Sequence, residues 1–69
     1  MQLIAKLYDT QDNMTAYIYQ NAMRYSVRLF DNDSENFLPV ARVYADLESA
    51  LQYARELTPS STVCHYPKL

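Results

Sequence analysis

Asp31, Asp33 and Glu35, in the stretch DNDSENF (31–37), are the first residues whose types and spacing could do chemistry. Alternating acids among small polar residues are how a calcium loop gathers its oxygens. Such a loop also needs a glycine at its sixth position and a bidentate glutamate at its twelfth. Counting from Asp31, those places hold Asn36 and Arg42. The stretch therefore reads as a solvated turn that also discourages edge pairing, and no metal is expected.

Nucleophilic chemistry fares no better. The single cysteine, Cys64, adjoins the single histidine, His65. Neighbours on an extended chain point to opposite sides, so the two do not make a nucleophile–base pair. A zinc site needs more Cys or His ligands than these. Carboxylate pairs for acid–base work need a concave pocket, which a thin sheet with one helix does not offer. The expectation is a non-enzyme with no cofactor.

The totals narrow the classes further. Sixty-nine residues make one small domain, and a chain of this size buries roughly 60% of its extended-chain surface. The chain has no glycine, no tryptophan and seven tyrosines. Without glycine there is no P-loop and no dinucleotide fingerprint, and positive-φ turn positions should fall to Asn or Asp. A net charge of −2 fits neither a strongly basic nucleic-acid binder nor a polyacid. One cysteine excludes an internal disulfide. The start, MQLIAKLYD, shows no charged region followed by a long apolar run, and the longest apolar run, FLPVA, is far too short to span a bilayer. A cytoplasmic protein away from membranes is expected.

Hydrophobic period then supplies the elements that must position any surface chemistry. Residues 2–8, 14–20, 24–30 and 37–44 read as strands, alternating or rich in β-branched and aromatic side chains. Polar turns separate them, with Asn21 the expected left-handed residue of the second. Pro39 lacks an amide hydrogen, which makes the fourth strand an edge. The period changes over 45–57: Leu47, Ala50, Leu51, Ala54 and Leu57 form one helical stripe. Asp46 is suited to the N-cap and Pro59 stops the helix. The fold class is α+β: a four-stranded antiparallel meander with one C-terminal helix on one face, a single domain over 1–58 and an irregular tail over 59–69.

Strand parity assigns the two faces. Leu3, Ala5, Leu7, Ala16, Ile18, Tyr25, Val27, Leu29, Ala41 and Val43 should face the helix. The open face should carry Ile4, Lys6, Tyr8 and Val40 with a candidate partner-binding set: Tyr17, Tyr19, Arg24, Arg28, Phe30, Arg42 and Tyr44. Tyr and Arg are the residue types enriched at binding hot spots. The acids gather elsewhere. In a meander the first and third turns share one end, so Asp9, Asp12, Asp31, Asp33 and Glu35 form a secondary acidic edge. Such an edge could imitate phosphates toward a basic groove. The leading reading is an open face that binds protein, either a host protein or a second copy as a homodimer. The alternative is single-stranded nucleic acid, with bases stacked on the aromatics and phosphates held by the arginines.

The order of elements over 2–57, including a strand that runs straight into a capped helix in ARVYADLESALQYA (41–54), resembles small phage- or mobile-element-borne inhibitors of the anti-CRISPR type. That resemblance implies a non-enzymatic protein that occludes a host protein surface.

Overall fold

The computed structural model describes residues 1–65. Its elements are β1 (Gln2–Asp9), β2 (Met14–Asn21), β3 (Arg24–Asp31), β4 (Asn36–Tyr44), α1 (Leu47–Leu57) and β5 (Ser61–His65). They form one five-stranded sheet in the order β4-β3-β2-β1-β5, with antiparallel neighbours throughout. The meander, the helix and the edge position of the Pro39 strand are as the sequence implies. The expected irregular tail is not: residues 61–65 pair with β1 from Asp9↔Ser61 to Ala5↔His65. Residues 66–69, and the side chains of the Cys64–His65 pair, lie outside the described structure.

The sheet has an edge strand on each side, and α1 crosses between them. Asp46 caps the helix: its Oδ2 accepts from Ser49 N at 2.9 Å, and its Oδ1 from Ser49 Oγ at 3.0 Å. At the other end the Thr58 hydroxyl donates to Ala54 O at 2.7 Å while the Thr58 amide reaches the same carbonyl. The helical stripe lands as its spacing requires, with Ala50, Leu51 and Ala54 buried and Leu47 and Leu57 packed at its margins. Beneath it lie Ala5, Leu7, Ala16, Ile18, Val27 and Leu29. Alanines at 5, 16, 50 and 54 keep the helix close to the sheet, and Leu7, Ile18 and Val27 are the largest fully buried aliphatic side chains. Each such aliphatic side chain contributes about 1.5–3 kcal/mol of transfer free energy.

Two irregularities correct the sequence-derived faces. In β1 the pairing steps from Leu3↔Tyr19 to Ala5↔Ile18, so β1 carries one extra residue. This bulge turns Ile4 into the core and leaves Leu3 opposite Tyr19 on the open side. In β4 the whole strand is one residue out of the expected parity. Phe37 pairs with Phe30, Ala41 with Arg28 and Val43 with Ser26, which puts Phe37, Ala41 and Val43 on the open face. Leu38, Val40, Arg42 and Tyr44 take the helix side, where Leu38, Val40 and Tyr44 pack against the core. Leu38, Val40 and Tyr44 are thus the β4 residues that reach the core, and a slip of one residue would exchange the two faces. The pairing shifts around Pro39, between the Arg28 and Phe30 pairs, where the ladder has no use for its missing donor.

Positive φ occurs at Asn13, Ala22 and Glu35, at 52°, 57° and 57°. Asn21, the expected left-handed residue, is instead the last residue of β2, paired with Arg24. Ala22 takes the strained position because it is the first residue of a two-residue hairpin loop. There the twist of the flanking strands demands positive φ whatever the side chain.

Candidate interaction face

Among the described residues, no element covers the side of the sheet opposite α1. Its centre is Tyr17, which has Lys6 as its β1 neighbour and Arg28 as its β3 neighbour. The Tyr17 ring lies 6.2 Å from Tyr19 at 29°, 6.4 Å from Phe30 at 77° and 6.1 Å from Phe37 at 57°. Phe30 and Phe37 meet edge to face at 5.0 Å. The Arg28 guanidinium sits 4.3 Å from the Phe37 centroid. Aromatic pairs in these geometries contribute about 0.5–1.5 kcal/mol each beyond the area they bury. Yet the cluster is not sealed: Phe37 stays 43% exposed and Val43 55%.

Of the candidate set, the structure brings together Tyr17, Tyr19, Arg28 and Phe30. Arg24 lies on the same face at its far end, paired with Asn21. Arg42 and Tyr44 do not belong to it. Tyr44 packs on Tyr53 of the helix at 5.8 Å, and the Arg42 guanidinium stands 4.9 Å over the same ring. Hydrogen bonding with the Tyr44 side chain, then the nearby Tyr53 and Tyr44 rings, hold the Arg42 pKa above its ordinary value. Phe37 is the residue that parity missed. The signal was the closing of the third turn: a four-residue loop over 32–35 puts Asn36 against Asp31, and therefore Phe37 against Phe30.

The acidic edge is real as a location and different as chemistry. The first and third turns do share one end, joined by Asn32 N to Asn13 O at 3.1 Å and by Asn13 Nδ2 to Asp33 Oδ1 at 2.7 Å. Asn32 Nδ2 also donates to Thr15 Oγ1, and Tyr8 OH to Asn13 Oδ1. Asp9 is no surface acid. It is fully buried, and its carboxylate accepts from the amides of Gln11 at 2.9 Å, Asp12 at 3.1 Å and Ser60 at 3.1 Å. Burial pushes its pKa up, but the three amide donors outweigh this and leave it below the ordinary carboxylate value. Asp31 spends one oxygen on the Asp33 amide in an Asx turn. Asp12, Asp33 and Glu35 are exposed. Among the described residues, no three of His, Cys, Asp and Glu converge as metal ligands, and no helix is long and apolar enough to cross a membrane.

The face thus combines an exposed aromatic cluster with an arginine set over one of its rings, on the side of the sheet opposite α1. Searches with the whole chain find no matching family model, no matching curated protein and no matching solved structure.

Proposed function

We propose that this chain is a non-enzymatic binding module whose open sheet face docks on another protein in the cytoplasm. The observation that carries the reading is Arg28 stacked on the half-exposed ring of Phe37, inside an uncovered aromatic cluster. Uncovered apolar patches mark interfaces, and Arg beside Tyr and Phe is the composition of their hot spots. The action would be occlusion of the partner's surface, as in the phage- and mobile-element-borne inhibitors that the element order resembles.

The test is a capture experiment from lysate, with and without nuclease, on three forms of the chain. Arg28→Glu with Tyr19→Ala should abolish capture of a nuclease-resistant partner while the circular dichroism spectrum is kept. Asp12→Asn with Asp33→Asn, on the acidic edge, should leave capture intact. Capture lost in the acidic variant and kept in the face variant would favour phosphate mimicry instead.

One observation favours a second reading. Tyr17 and Tyr19 are nearly parallel, at 29°, on the face that carries Lys6, Arg24 and Arg28. Such a platform could stack bases of a single strand. Binding of that kind would be nuclease-sensitive and would weaken with salt, with a log–log slope of about −2 for three phosphate contacts. A contact built on the aromatic cluster should weaken only mildly.

A further inference from the structure

Strand register gives the open face a single sign of charge. Lys6, Arg24 and Arg28 lie on it, and among the described residues no carboxylate occupies an open-face strand position. Asp9 and Asp31 end their strands on the other side, in register with Met14. A second copy docked face to face would bring these cations against one another, which is costly at an interface.

Arg28 is also prepared for one kind of group. The planar guanidinium stands over the Phe37 ring, its central carbon 4.3 Å from the centroid. The N–H donors lie on the rim of that plane, in the fork that matches a carboxylate. The rings around it are committed to each other, Tyr17 against Phe30 at 77° and Phe30 against Phe37 at 74°. Rings set at such steep angles to one another make a poorer stacking platform for bases than parallel ones. They still leave an apolar surface for aliphatic side chains.

We infer that the open face takes an acidic, aliphatic protein segment, with an Asp or Glu carboxylate on the Arg28 fork and neighbouring apolar side chains on Phe37 and Tyr17. The inference rests on the docking reading of the same face and adds the partner's chemistry to it. Lys6 and Arg24 extend the same charge preference to either end of the segment.

Selection of random displayed short peptides on the immobilised full chain tests it. Enriched sequences should place Asp or Glu beside Leu, Ile, Val or Phe. Their footprint in amide chemical shifts should cover Tyr17, Arg28 and Phe37. Arg28→Lys keeps the charge but not the planar fork, and should weaken the selected peptides by at least about tenfold. Equal binding by that variant would overturn the role given to Arg28. Neutral or basic peptides on the same footprint would overturn the acidic class and leave the docking reading standing. Oligothymidylate on that footprint, with no peptide enriched, would overturn both. Concentration-dependent self-association through the footprint would replace the acidic partner with a second copy, and a selection that enriches nothing would also overturn the inference.

Discussion

The guanidinium of Arg42 lies 4.9 Å over the ring of Tyr53, so this cation braces the last turns of β4 against the helix and is absent from the open face. Arg42 and Arg28 therefore answer to different measurements, although both sit within a strand and both lie over an aromatic ring. Arg42→Ala should lower the thermal midpoint slightly and leave partner capture unchanged. Arg28→Ala should do the reverse. An Arg42 variant that folds normally and fails to bind would show that the docking surface wraps round the β4 edge.

Leu51 is buried between α1 and the sheet, in one cluster with Val27 and Ile18. Leu51→Ala should cost about 2–5 kcal/mol in urea unfolding, because truncation removes transfer free energy and leaves a cavity. That is a large share of the stability of a domain this small. A loss below about 0.5 kcal/mol would be inconsistent with a core position.

Asp9 links stability to pH. Its folded pKa lies below its unfolded value because backbone amides of Gln11, Asp12 and Ser60 hydrogen-bond the charged carboxylate. A depressed carboxylate pKa adds stability that is fully present above the unfolded value of about 4 and is lost as pH falls through the folded one. Denaturant midpoints should therefore be flat from neutrality to about pH 5 and drop below pH 4. Asp9→Asn should start lower at neutral pH and lose less on acidification. A wild-type acid response that survives Asp9→Asn unchanged would assign it to other carboxylates.

The hairpin loop over Ala22 and Met23 has positive φ at its first residue and not its second, the pattern in which glycine is usual. A left-handed backbone costs a residue with a Cβ about 1–2 kcal/mol. Ala22→Gly should recover about 1 kcal/mol of this, less some unfolded-state entropy. Stability that is unchanged or lower in this variant would mean that Ala22 is not strained.

Calcium should not act on this protein. Asp31 turns one oxygen to the Asp33 amide, and Asp33 turns one to Asn13, so the acids of the third turn serve the turns themselves. Adding ~1 mM calcium should leave the thermal midpoint where it was. A saturable rise that Asp33→Asn removes would show a site formed by rearrangement of the turn.

Residue order alone determined the kinds of element and their sequence. Alternation over RYSVRLF and the three-and-four spacing from Leu47 to Leu57 are local periods, and each names its element before any contact is made. Asp46 acts through a side chain that reaches only three residues ahead, and Pro39 and Pro59 through their own backbone, so cap, edge and stop were legible too. Asp9 was not legible as a buried acid, because its third donor, Ser60, comes from the far end of the chain. Nor was β5, whose STVCH segment has no period of its own and becomes a strand by pairing with β1. The face of β4 was decided in three dimensions as well. Parity within a strand gives two alternating sets, and which set turns inward depends on how the Asp31–Asn36 turn closes and on what Tyr53 and the core accept. That choice brought Phe37 to Arg28 and sent Arg42 to Tyr53. The residues of the candidate face were visible in the sequence as types, but their assembly into one surface depended on the register between strands.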